Sequence, residues 1–195
     1  MSFRIEEKIS VTKYDSIKFI KFLENKGLKK IYKDRYINSI YFDNQNMQMF
    51  YQSEEGVRPR QKIRIRKYNN KDIFYLEKKI SADEGRYKLS DIINYNKYKN
   101  YLTKGFYSSI YGICYPKVIV SYKRSYFKLN NVRLTYDFEI NYKNFDKSNI
   151  NIKEPLRVFE IKCSNLSETS EINNFLGPKN RFSKYSQSII NLNII

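Results

Sequence analysis

K-I-R-I-R-K-Y, Lys62 to Tyr68, is the stretch whose reading decides the fold. Lys62, Arg64, Arg66 and Tyr68 alternate with Ile63, Ile65 and Lys67, and a period of two is what a β-strand imposes on side-chain direction. One face of this strand is basic along its whole length. Asn69-Asn70-Lys71-Asp72 then supplies turn residues. Ile73 to Ile80 reads as the returning strand, with Tyr75, Glu77 and Lys79 on one face and Phe74, Leu76 and Lys78 on the other. Together the two segments predict a hairpin.

The same period recurs further along the chain. Lys117 to Leu129, a turn at Asn130-Asn131, Val132 to Tyr142, and Leu156 to Cys163 all read as strands carrying alternating charge. Helices are fewer. Ser16 to Lys26 ends at Gly27, which suits a C-terminal cap, and Ser90 to Leu102 runs into Gly105. A last helix is predicted from about Ser183 to Leu192, where Phe182, Tyr185, Ile189 and Leu192 share a face that excludes Lys184. Asn144 to Glu154 reads as a polar loop. About eight strands with three or four helices fit a β-rich α+β barrel. No composition break divides the 195 residues, so a single domain over 1–195 is expected.

Composition narrows the chemistry. The net charge of +17, from 37 Lys and Arg against 20 Asp and Glu, implies a polyanionic partner. Lys, Asn, Ile and Tyr are all abundant, as AT-rich codons would make them, so the positions of the charges carry more weight than their number. The absence of His removes Ser-His-Asp triads, Cys-His dyads, HExxH zinc sites and histidine phosphotransfer together. Cys114 and Cys163 have no CxxC neighbour, which argues against zinc and against a disulfide framework. No run approaches 18 apolar residues, and the N-terminus is charged where a signal peptide needs an apolar core. The expected location is the cytoplasm.

Charges recur on one strand face in at least five places: Arg4, Glu6 and Lys8; Lys62, Arg64 and Arg66; Glu77 and Lys79; Arg133, Thr135 and Asp137; Glu160 and Lys162, with Tyr122 and Arg124 continuing the series. A single strand of this kind usually marks a sheet with one wet face. If the strands close into a barrel, these residues share a lumen. Cations buried without partners cost several kcal/mol per ion, so such a lumen must hold water or an anion. Same-face residues repeat every ~6.6 Å, so Lys62, Arg64 and Arg66 span about 13 Å, the reach of a short phosphate chain. Carboxylates among those cations point to a divalent metal, Mg²⁺ or Mn²⁺, bridging carboxylate and phosphate oxygens. Glu160, Glu6, Glu77 and Asp137 are the candidates. For Glu77 and Asp137, pairing with a neighbouring Arg or Lys is the equal alternative.

The motifs R-I-E-E-K (Arg4 to Lys8), S-I-Y-F-D (Ser39 to Asp43), K-I-R-I-R-K-Y, L-E-K-K (Leu76 to Lys79), S-Y-K-R (Ser121 to Arg124), V-R-L-T-Y-D (Val132 to Asp137), F-E-I-K (Phe159 to Lys162) and F-S-K-Y (Phe182 to Tyr185) occur in order along nearly the whole chain. In them the chain resembles the catalytic domain of the vacuolar transporter chaperone (VTC) polyphosphate polymerases, within the triphosphate tunnel (CYTH-like) metalloenzymes. The resemblance implies an eight-stranded antiparallel tunnel barrel with peripheral helices and a C-terminal helix. It further implies transfer of the terminal phosphate of ATP to a growing polyphosphate chain with Mn²⁺ or Mg²⁺ as cofactor. By position, Lys62, Arg64, Arg66, Lys79, Arg124 and Lys184 would be catalytic. Lys8, Lys88 and Arg133 would join them as phosphate contacts, Lys88 from a loop. Glu160 and Glu6 would hold the metal, and Lys184 would project from the final helix.

The wider superfamily opens with ExExK, and Arg4 at the first of those positions resembles the polymerase branch. Eukaryotic members carry a regulatory domain and membrane spans that have no counterpart in these 195 residues, so export of product would use a separate membrane partner, with the enzyme at the inner face of that membrane. A tunnel triphosphatase acting on inorganic triphosphate, a nucleotide or an RNA 5′ end is the alternative enzyme, and a non-catalytic polyanion sensor is another. Nucleic-acid binding, suggested by the charge and 19 Tyr residues, is disfavoured because the basic positions interleave with carboxylates. Tyr41, Tyr68 and Tyr122 read as packing rather than base contacts, and Asp43 with Asn44 as a turn.

Overall fold

Alternating sequence becomes paired strand almost throughout the computed structural model, which describes residues 5–69, 71–147, 149–164, 172, 175 and 182–195. The expectation placed on Arg4 lies outside the described residues. The elements are β1 (Ile5–Val11), α1 (Lys13–Asn25), β2 (Lys29–Asp43), α2 (Gln48–Glu55), β3 (Arg60–Tyr68), β4 (Phe74–Ala82), β5 (Gly85–Ile93), α3 (Tyr95–Lys104), β6 (Phe106–Ser108), β7 (Gly112–Leu129), β8 (Val132–Asn144), β9 (Asn151–Lys153), β10 (Arg157–Cys163) and α4 (Lys184–Asn191). Eight strands follow the order β1-β10-β8-β7-β2-β3-β4-β5, with β6 beside β7 and β9 beside β8. No helix among the described residues is long and apolar enough to cross a membrane, which has no bearing on strands.

By internal contacts the chain divides into two units. The first comprises Met1–Tyr36, Tyr122–Ile140 and Lys153–Phe182; the second comprises Ile37–Ser121, Asn141–Ile152 and Ser183–Ile195. Strands β2, β7, β8 and β9 contribute residues to both.

In the first unit, period two sorts the strands into an apolar and a charged face. Ile9, Val11, Leu129, Val132, Leu134, Phe159, Ile161 and Cys163 form one core with Phe19 and Leu23 of α1. Phe19 meets Phe159 edge-on at 4.9 Å between centroids. The helix starts at Lys13, three residues before the sequence suggests, because Thr12 caps it: the Thr12 hydroxyl oxygen accepts the Asp15 N–H at 3.1 Å. It ends with Gly27 at φ 94° and the Leu28 N–H donated to the Leu23 carbonyl.

In the second unit, the predicted hairpin forms with Arg64 opposite Glu77 and Ile65 opposite Leu76. Ile63 and Ile65 are buried, as are Ile40 and Phe42, which face them across β2. The helix expected from Ser90 begins only at Tyr95. Ser90 to Ile93 instead continue β5, where Glu77 lies opposite Ser90 and Phe74 opposite Ile93, and Asn94 then caps the helix by accepting the Lys97 N–H. Lys88 consequently stands on a paired strand and not in a loop. Part of the expected loop after Asn144 is the short strand β9.

Candidate functional site

Each unit gathers its charged strand face around a buried carboxylate. In the second unit that carboxylate is Glu77, which is 1% exposed. Arg64 donates to Glu77 Oε2 through Nε at 2.7 Å and lies 2.6 Å from it through Nη2. Arg66 Nη1 is 3.6 Å from the same oxygen, and Lys88 Nζ is 2.5 Å from Oε1. Burial pushes the Glu77 carboxyl up, but Arg64, Arg66 and Lys88 outweigh it and hold the group down at about 2. The remaining arms of these arginines are also engaged. Arg64 Nη1 donates to the Tyr41 hydroxyl at 3.0 Å, and Arg66 Nε to Ser39 Oγ at 3.1 Å.

One row further along the same face, Lys62 of β3 lies directly opposite Lys79 of β4, and Lys79 directly opposite Lys88 of β5. Like charges in directly opposed positions destabilise a sheet, so three lysines abreast are a cost that an anion would remove. Lys62 Nζ also donates to Ser183 Oγ at 2.7 Å, and Ser183 is the N-cap of α4. Lys184 follows that cap, half-buried, and acts electrostatically on Tyr41. Burial raises the Tyr41 hydroxyl, but Arg64, Arg66 and Lys184 bring it down to about 8. The Tyr41 ring stacks on Tyr185 at 5.2 Å, and the Tyr185 hydroxyl donates to Asp43 Oδ2 at 2.6 Å. Asp43 also accepts the N–H groups of Asn44, Met49 and Phe50, so it fixes the start of α2 and the position of α4, as its reading as a turn builder implies.

In the first unit the carboxylates are Glu160 and Asp137. Across β1, β10 and β8 one row runs Lys8, Glu160, Thr135 and the next runs Glu6, Lys162, Arg133. Lys162 Nζ is 2.9 Å from Glu160 Oε1 and 3.7 Å from Glu6 Oε2; Arg124 Nη2 is 3.7 Å from Glu160 Oε2. Burial raises the Glu160 carboxyl, yet Lys8, Arg124 and Lys162 hold it far below the usual carboxylate range. Arg124 forks onto Asp137, with Nε to Oδ1 at 2.5 Å and Nη2 to Oδ2 at 2.7 Å. Burial disfavours charge on Arg124, but Asp137 more than restores it.

The structure thus brings Lys62, Arg64, Arg66, Lys79 and Lys88 together on one sheet face, with Lys184 acting on Tyr41 beside them, and it brings Lys8, Glu6, Arg124, Arg133 and Glu160 together on another. Glu77 and Asp137 take the pairing role open to them. Sequence reasoning placed Lys162 in the charged series without giving it a role, and read Tyr41 as packing, although Lys162 stands at period two from Glu160 and Tyr41 lies within S-I-Y-F-D. Among the described residues no three His, Cys, Asp or Glu side chains gather as a metal cage. Glu6 and Glu160 stand on adjacent strands of one face, and two carboxylates completed by phosphate oxygens and water are a donor set that Mg²⁺ or Mn²⁺ accepts.

Several solved structures share this fold. A protein of Bacillus halodurans named as an adenylate cyclase candidate matches with a TM-score of 0.65 and 17% identity over 94% of this chain and 96% of that one. A Pyrococcus horikoshii protein matches at 0.60 and 16% over 97% and 99%. A Hippeastrum protein, named as an adenylyl cyclase candidate and described with a dominant triphosphatase activity, matches at 0.61 and 11% over 97% and 96%. No curated protein matches the chain significantly. The fold is the β-rich antiparallel fold of the triphosphate tunnel proteins. Within it, the family model of the VTC domain matches residues 2–193, and the chain belongs to that family.

Proposed function

We propose that the protein is a metal-dependent phosphotransferase that passes the terminal phosphate of ATP to a polyphosphate chain. The observation that carries this reading is the row Lys62, Lys79, Lys88 beside Arg64 and Arg66, a cation density that phosphate oxygens would relieve. In the reaction an oxygen of the acceptor chain forms a bond to the γ-phosphorus as the bond to the β-phosphate oxygen breaks, and ADP leaves with the electron pair. The acceptor oxygen is already ionised, so the absence of His is no obstacle, and the work falls to positioning and charge stabilisation. Lys62, Arg64, Arg66, Lys79, Lys88 and Lys184 in one unit and Lys8, Arg124 and Arg133 in the other would grip phosphate oxygens. Glu160 and Glu6 would hold Mn²⁺ or Mg²⁺, which would supply charge neutralisation on the phosphates. We place the enzyme in the cytoplasm, with any export of product assigned to a separate membrane partner.

A tunnel triphosphatase is the second reading, favoured by the activity described for the Hippeastrum neighbour. Incubation with ATP and Mn²⁺ or Mg²⁺, with and without a short polyphosphate primer, separates the two when products are resolved on a gel beside free phosphate. Long chains that vanish in Glu160→Gln and Arg64→Ala support the polymerase. Free phosphate without chains supports hydrolysis, and tight polyphosphate binding with neither product leaves a sensor.

A further inference from the structure

At the Arg133 end of its charged row, the first unit has a cavity of about 430 Å³ lined by Ile31, Tyr32, Lys128, Asn131 and Arg133. Its two halves differ in chemistry. Tyr32 of β2, 54% exposed, makes an aromatic wall. The Tyr32 ring is nonetheless fixed, because Tyr126 meets it edge-on at 5.8 Å and the Arg35 guanidinium lies over it at 5.8 Å from the centroid. The other wall is cationic. The two-residue turn between β7 and β8, where Asn130 takes φ 50°, sets Lys128 and Arg133 one position inside the strand ends on either side. Arg133 has another cation, Lys162, opposite it on β10. Arg64, Arg66, Lys88, Arg124 and Lys162 all meet carboxylates, whereas the side chains of Lys128 and Arg133 have no hydrogen bond or ion pair among the described residues.

We propose that this cavity binds the nucleoside end of a nucleoside phosphate, with the base stacked on Tyr32 and the phosphates passing between Lys128 and Arg133. An inorganic phosphate chain would use only the cationic wall; a ring-bearing anion uses both, and a cavity of this size falls in the range that suits such ligands. Arg133 lies on the β8 face that carries Thr135 and Asp137, in the row shared with Lys162, so phosphates leaving the cavity along β8 would run toward Glu160 and Arg124. The site therefore orients the donor with its base at the β7–β8 turn. It rests on the proposed function only in taking ATP as the ligand.

The experiment measures binding of ATP and of inorganic tripolyphosphate by calorimetry to wild type, Tyr32→Ala, Tyr32→Phe and Lys128→Ala, with Tyr107→Ala, in the other unit, as a control. Loss of one base-stacking partner predicts about tenfold weaker ATP binding in Tyr32→Ala, with tripolyphosphate changed by less than about twofold. Tyr32→Phe, which keeps the ring, should match wild type, and Lys128→Ala should weaken both ligands. Unchanged ATP affinity in Tyr32→Ala, equal losses for both ligands, or no ATP binding by the wild type would overturn the proposal. Base-dependent binding without turnover would sink the phosphotransferase reading and keep this site; turnover of ATP indifferent to Tyr32 would do the reverse.

Discussion

Glu77 is the residue on which the second unit's cations depend for balance. Its carboxyl sits at about 2 in the folded protein against an ordinary value of 4.5. A depressed folded value stabilises the fold fully above the unfolded value, and that stabilisation drains away as pH falls from about 4.5 to about 2. Glu77→Gln removes the counter-charge of Arg64, Arg66 and Lys88 together, and breaking a buried pair in this way costs about 3–5 kcal/mol. Urea unfolding between pH 7 and pH 2 should show that loss at neutral pH and a flatter acid limb in the variant. An unchanged acid limb would mean that another carboxylate carries the balance. Which cations each carboxylate would meet was not legible in the sequence. Glu77 and Glu160 both occupy strand positions at period two from a lysine, and only register shows that Arg64 lies opposite the first and Lys8 opposite the second. Tyr41 escaped for a different reason: nothing in an uncharged aromatic side chain signals that two guanidinium groups will lie near its hydroxyl.

Among the elements, Gly105 closes α3 and opens β6, and sequence reading identifies it correctly as the stop of that helix. Its φ is +81°, and a Cβ there would come within 2.8 Å of Ile113 Cγ2 and 2.9 Å of the Cys114 carbonyl oxygen. Gly105→Ala therefore meets both backbone strain and a clash with the β7 main chain, and should cost about 2 kcal/mol or more. Gly27, also at positive φ, has open space around its missing Cβ, so Gly27→Ala should cost less, and thermal melts of the two variants test the ordering. The strands themselves were legible because alternation is written directly in residue order. The start of α3 was not, because Ser90 to Ile93 pair with β4, and such pairing depends on the partner strand as well as on the residues of the segment. This long-range pairing also moved Lys88 from a loop to the end of the lysine row.

At the scale of the whole chain, the +17 charge pointed to a polyanion, and the family assignment over residues 2–193 gives that charge a setting. What sequence could not supply is the division into two units, because a strand that belongs to both carries the same alternation throughout its length. Each unit holds one buried cysteine thiol: Cys163 in the first and Cys114 in the second. Burial raises the Cys114 thiol to about 11, which makes it a poor nucleophile while it stays enclosed. The molecule therefore carries two native clocks. An aromatic disulfide reagent added to the folded protein can reach either thiol only when its unit opens, and mass spectrometry of the labelled peptides times each opening separately. Because β2, β7 and β8 run through both units, a single shared rate is expected; two rates would show that one half of the protein can loosen while the other keeps its hold.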